Sequence, residues 1–230
     1  MNVDVTAPRR SVRPLRTEWL GRIAYDDALA LQKRAAEEVS TGGEERLLLL
    51  EHEPVYTLGR NARADDVLLS SERRRELGIA LRDCDRGGQV TYHGPGQLVG
   101  YPILNLSPDR RDVKRYVTDL EEVLLRSLAG LGIAAARSHR KERVTSVWVG
   151  NDKIAAIGVH LSRWITTHGF ALNVTDEPLP FFEGIVPCGI TDGGVTSIER
   201  LIGRRVEPRA LVDAVSGHFG DVFGREIIRP

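Results

Sequence analysis

The stretch Arg86-Gly87-Gly88-Gln89-Val90-Thr91-Tyr92-His93-Gly94-Pro95-Gly96-Gln97-Leu98 interrupts two apolar runs with four glycines and a proline. Val90 and Tyr92 alternate with Gln89, Thr91 and His93, and Leu98 to Leu104 is a second apolar run. The pattern predicts two strands joined at His93-Gly94-Pro95-Gly96, a hairpin with an irregular turn. Glycine also lets backbone amides approach a ligand closely. The segment lacks the Gly-Lys-Ser/Thr ending of a phosphate loop, and no helix follows it directly.

Working outward, Ala28, Leu31, Ala35 and Val39 recur at helical spacing over Tyr25 to Val39, and Thr41-Gly42-Gly43 stops that helix. Arg46 to His52 reads as a buried strand, Pro54 interrupts it, and Val55 to Leu58 continues the sheet. A short helix over Glu72 to Leu77 and a strand over Ile79 to Arg82 lead into the glycine-rich hairpin. Asp112 is a fitting N-cap for a long helix with Val113, Tyr116, Val117, Leu120, Leu124, Leu128 and Leu131 on one face. Strands over Thr145 to Val149, Lys153 to Leu161 and Phe170 to Val174 form an antiparallel meander. Thr196-Ser197-Ile198-Glu199 has the form of a capping box, and a final helix starts at Pro208. Helices set around antiparallel strands predict an α+β fold, not a doubly wound parallel sheet.

The chain has 230 residues, 41% of them hydrophobic, enough for one sizeable core. Its formal net charge is zero, so the balance points to neither nucleic acid nor a membrane surface. Residues 1–17 carry arginines and prolines without an apolar run and are expected to be a flexible tail ahead of one domain over 18–230. No stretch has the length of a membrane span. A cytoplasmic protein is expected.

Cys84 and Cys188 cannot make a disulfide framework, and neither belongs to a CxxC pair. Cys188 lies between Pro187 and Gly189, ahead of Asp192-Gly193-Gly194, which places it on a loop. It is either an accessible nucleophile or a small hydrophobe. Cys84, between Asp83 and Asp85, is the weaker candidate and reads as structural. Lys153 is one of four lysines against 28 arginines, and it heads the apolar run Ile154-Ala155-Ala156-Ile157-Gly158-Val159. It is either a cation that must be able to lose its proton, which guanidinium cannot do at neutral pH, or the solvated end of a hairpin turn. The six histidines show no HExxH or comparable ligand spacing, so no metal site is expected. His93 remains a candidate polar group.

The stretch from Arg86 to Leu98, together with Lys153-Ile154-Ala155-Ala156-Ile157-Gly158, His168-Gly169-Phe170-Ala171-Leu172-Asn173 and Pro187-Cys188-Gly189-Ile190, closely resembles the lipoyl(octanoyl) transferase family over about Leu20 to Phe223. The resemblance implies the biotin and lipoate protein ligase fold, a mixed, mostly antiparallel sheet flanked by helices with a smaller sheet beside it. It implies transfer of an octanoyl group from octanoyl-acyl carrier protein to a lysine of a lipoyl-accepting domain, as in 2-oxoacid dehydrogenase complexes and the glycine cleavage H protein. Neither cofactor nor metal is implied. Cys188 would carry the acyl-thioester with Lys153 as its partner. Arg86 to His93, Ala156 to Gly158 and Gly169 to Ala171 would bind the acyl group.

These residue types suit the chemistry. An adjacent ammonium raises the thiolate fraction of a cysteine, and thioester exchange needs no ATP because the donor is already activated. The basic run Arg137-Ser138-His139-Arg140-Lys141-Glu142-Arg143 either helps dock the acidic carrier protein or is a solvated basic loop. The alternatives are an ATP-dependent ligase of the same fold, which needs no nucleophilic cysteine, and a non-catalytic acyl-carrier-binding module.

Overall fold

Four consecutive leucines, Leu47 to Leu50, break the alternation expected of a half-exposed strand, because both faces of the strand that holds them are covered. A computed structural model of the protein, describing residues 12–107, 109–138, 145–186 and 193–229, shows the cover. Leu47 and Leu49 join a large core with the helices Val113–Ala129 and Val212–Phe223, whereas Leu48 and Leu50 join a second core with the helix Tyr25–Ser40.

The elements run in the order β1 (Arg13–Ile23), α1 (Tyr25–Ser40), β2 (Glu45–His52), β3 (Val55–Leu58), α2 (Ser71–Glu76), β4 (Ala80–Asp83), β5 (Val90–His93), β6 (Gln97–Ile103), α3 (Val113–Ala129), β7 (Ala136–Arg137), β8 (Ser146–Val149), β9 (Asp152–Ser162), β10 (Ile165–Asn173), α4 (Ile198–Ile202), α5 (Val212–Phe223) and β11 (Arg225–Ile228). Eight strands form the main sheet in the order β11-β1-β2-β6-β10-β9-β8-β7, and three form a smaller sheet, β4-β3-β5. In the main sheet β1 is parallel to both neighbours and the remaining pairs are antiparallel. This mixed architecture with flanking helices is the expected α+β class.

Several helices form as their sequences suggest. Asp112 caps α3 by accepting from the Arg115 amide at 3.0 Å. Tyr116, Leu120, Val123, Leu124 and Leu128 bury the inner face of α3, each burial contributing roughly 1.5–3 kcal/mol. α1 buries Ala28, Ala35 and Val39 against the opposite sheet face.

Other expectations are corrected. β5 and β6 are not a hairpin: β5 pairs with β3 in the small sheet, β6 with β2 and β10 in the main one. Local alternation gives the strands but not their partners. Tyr92 fills the small core, its ring stacked on Phe181 at 4.7 Å, while Leu98 fills the main core. Gly94-Pro95-Gly96 is thus a crossing between sheets, fixed by the positive φ of Gly96 (87°) and by its amide donating to Glu51 Oε1 at 2.7 Å. Val55 to Leu58 likewise leaves the main sheet after Pro54.

Residues 13–17, expected in the tail, begin β1, since the β2 edge offers them a parallel partner. The cap of α4 is Ser197, not Thr196: its Oγ accepts from the Arg200 amide at 3.0 Å. Residues 208–211 form a 3-10 turn before α5 starts at Val212.

Candidate active site

Where the small sheet meets β9 and β10, backbone approaches backbone. The Gly87 amide donates to the Val159 carbonyl at 2.9 Å, and the Arg60 and Asn61 amides donate to the Arg86 and Gly88 carbonyls, both at 3.1 Å. A Cβ on Gly158 would stand 3.0 Å from the Gly87 carbonyl oxygen, and one on Gly59 would stand 2.5 Å from that of Gly88. Glycine is required at this seam because the segment 86–88 lies against both neighbours.

Beneath the seam is a cavity of about 510 Å³. Its lining includes Arg86, Gly87, Gly88, Gln89, Val90, Thr91, His93, Lys153, Ala156, Ile157, Gly158, Gly169, Phe170 and Ala171, so three separated sequence segments converge there. Tyr92 is the exception among the expected binding residues, since its side chain is buried in the small core. Tyr25, Tyr101, Thr145, Ser146 and His168 also line the cavity and were not anticipated. Tyr25 and Tyr101 sit in runs that read simply as helix and strand.

The histidines of the floor are held uncharged. His52 Nε2 meets the Tyr101 hydroxyl at 2.7 Å and its Nδ1 meets the Ile23 carbonyl at 3.2 Å; burial pushes its pKa down to about 4. Burial also holds the His93 pKa well below the usual histidine value. A carbonyl oxygen can only accept, so His93 Nδ1 donates to Gln97 Oε1 at 3.3 Å. Gln97 in turn donates to Asn173, and Asn173 to the Thr196 carbonyl. Arg86 is buried too, donating to the Thr57 carbonyl and hydroxyl, both at 2.8 Å; its Nε has no hydrogen-bond partner among the described residues.

Lys153 stands at the junction of this cavity with a second one of about 610 Å³, and Val90 and Thr91 are likewise shared between the two. Its backbone is held by the chain that follows Gly193: the Lys153 amide donates to the Gly194 carbonyl and the Thr196 amide to the Lys153 carbonyl, both at 3.0 Å. Leu68, Leu179, Phe182, Ile185, Gly193 and Val195 add to the second lining. Cys188 lies outside the described residues. The described chain on either side of it, at Ile185 and at Gly193, lines this second cavity. Cys84 is half-buried, with its thiol donating to the Leu58 carbonyl at 3.2 Å.

Residues 139–143 of the expected carrier-binding run also lie outside the described residues. Arg137 pairs with Glu121 at 3.3 Å and Glu122 at 2.7 Å. Among the described residues no group of three or more His, Cys, Asp or Glu side chains could hold a metal ion, and no helix is long and apolar enough to cross a membrane.

The two-sheet architecture is that of the lipoate and biotin protein ligases. A solved lipoate-protein ligase A bound with ATP matches with a TM-score of 0.76 at 18% identity, covering 95% of this chain and 88% of that one. A biotin protein ligase from Aquifex aeolicus, in complex with biotin and ATP, matches with a TM-score of 0.56 at 15% identity, covering 91% and 70%. Residues 24–220 match the lipoyl protein ligase A/B catalytic domain. An octanoyltransferase of Caldicellulosiruptor bescii is 47% identical over 211 residues, 91% of each chain. This chain belongs to the lipoyl(octanoyl) transferase family within that wider catalytic domain.

Proposed function

We propose that the chain is an octanoyltransferase, moving an octanoyl group from octanoyl-acyl carrier protein to a lysine of a lipoyl-accepting domain. The observation that carries this reading is the meeting of two cavities at Lys153, one walled by Val90, Ile157, Phe170 and Ala171, the other flanked by the chain on both sides of Cys188. The first takes the acyl chain and sets its carbonyl near Thr91 and Lys153. The second admits in turn the thioester arm of the donor and the lysine of the acceptor.

In the first step the Cys188 thiolate adds to the thioester carbonyl and expels the donor thiolate, which takes its proton from the Lys153 ammonium and leaves Lys153 neutral. The Lys153 ammonium favours the attacking thiolate. In the second step the acceptor amine adds to the enzyme thioester, Cys188 leaves as thiolate, and a neutral Lys153 accepts the amine proton. Amides of the glycine-rich loop are suited to stabilise each oxyanion. The bond energy comes from the donor thioester, so no ATP enters.

Purified protein should transfer octanoate from octanoyl carrier protein to a lipoyl domain without ATP. Turnover of free octanoate with ATP, and none from the carrier protein, would favour a ligase instead. Decanoyl, octanoyl and hexanoyl donors sharpen the test. Each buried methylene contributes about 0.8 kcal/mol, so a hexanoyl donor should bind over tenfold more weakly than octanoyl, by roughly 1.6 kcal/mol.

A further inference from the structure

His168 lies inside β10 with φ of +56°, a left-handed backbone uncommon for residues that carry a Cβ. The strand register is unbroken around it, with Thr167 opposite His160, His168 opposite Val159 and Gly169 opposite Gly158. The side chain is 2% exposed, and its Nε2 lies 2.8 Å from Asp85 Oδ1. The His168 amide donates to Gln32 Oε1 at 2.7 Å, which holds the turned backbone in place. A carboxylate only accepts, so Nε2 carries the proton. Burial keeps the His168 pKa below its ordinary value in spite of Asp85, so near neutral pH the ring is an uncharged donor.

The second Asp85 oxygen faces His160 Nε2 at 3.5 Å, and His160 Nδ1 accepts from Arg60 at 2.8 Å. Two strands of the main sheet therefore converge on one carboxylate. Asp85 immediately precedes Arg86-Gly87-Gly88, the segment that roofs the cavity. Strained backbone persists only where the surroundings over-determine it, and here it aims an imidazole at the root of that roof.

We propose that His168 is a positioning residue: through Asp85 it clasps the glycine-rich segment to β9 and β10 and so sets the cavity wall against which the acyl group lies. Its kinetic consequence rests on the octanoyltransferase reading; the clasp itself does not. His168→Asn suits the test because asparagine tolerates a left-handed backbone while its shorter side chain cannot put a donor where Nε2 lies. Asp85→Ala removes the acceptor from the other side.

Each variant should slow single-turnover acylation by octanoyl carrier protein about tenfold, as loss of a charge-assisted hydrogen bond implies. The double variant should be no slower than either single one, because both remove the same contact. Hydrogen exchange of the Gly87 and Gly88 amides should quicken to a similar extent, with the unfolding midpoint moved by only a few degrees. Unchanged exchange at both glycines overturns the clasp. Faster exchange without slower acylation, or effects that multiply in the double variant, overturns the positioning role. If wild-type protein forms no acyl-enzyme, the transferase reading fails, and exchange alone decides the clasp.

Discussion

The main sheet is covered on both faces, by α3 and α5 on one side and α1 on the other, whereas the small sheet packs one modest core of Tyr56, Ile79, Val90, Tyr92 and Ile185. The main sheet contributes Lys153, Ala156 to Gly158 and Gly169 to Ala171 to the cavity, and the small sheet contributes the glycine-rich segment before and along β5. The two are joined over the cavity by backbone contacts among glycines. Side chains inside either core therefore set stability. Residues at the seam set the geometry of the acyl site.

The largest effect is expected inside the main sheet. A Cβ on Gly169 would stand 2.2 Å from the Gly100 carbonyl oxygen of β6, and backbone cannot give way cheaply there. Gly169→Ala should lower stability by about 3 kcal/mol, read from urea unfolding. A near-wild-type midpoint would mean the two strands are free to separate.

The histidine floor has an effect of similar size. Unfolded histidines take up protons below about pH 6.5, while burial pushes the folded His52 pKa down to about 4 and lowers those of His93 and His168. Between these values the unfolded chain holds more protons than the folded one. Stability is therefore full above pH 6.5 and falls as the pH drops from 6.5 towards 4, with His52 contributing about 3 kcal/mol of the loss. Unfolding measured across that range should show the slope, and His52→Gln should flatten it.

Much of this division was legible in the sequence. Periodicity placed α1, α3 and the β8-β9-β10 meander, and the glycines marked where backbone would approach a ligand. What failed were properties set by distant partners. The Val90 to Leu98 pattern gave two strands but could not say that they enter different sheets. β1 and β11 escaped because they are held by pairing and by contacts far along the chain, such as Arg225 Nε to Glu45 Oε2 at 2.7 Å. His168 stood within a quoted motif, yet nothing in a one-dimensional pattern announces its turned backbone or its reach to Asp85.

Two smaller effects belong to the seam and the junction. Lys153→Arg keeps the cation but loses the group able to accept a proton, so acylation should persist while transfer to the acceptor slows about a hundredfold. Single-turnover measurement of each step separates the two, and wild-type transfer would reduce Lys153 to an electrostatic partner. Gly158→Ala presses on the Gly87 carbonyl at 3.0 Å and on Arg86 Cδ at 3.1 Å. It should cost about tenfold in acylation with only a small change in unfolding midpoint, the reverse of Gly169→Ala.

The covalent route is tested most directly by intact-protein mass after mixing with octanoyl-acyl carrier protein. Wild-type protein should gain one octanoyl group that hydroxylamine removes, Cys188→Ser should gain none, and Cys84→Ser should behave as wild type. Acylation that survives Cys188→Ser would contradict it.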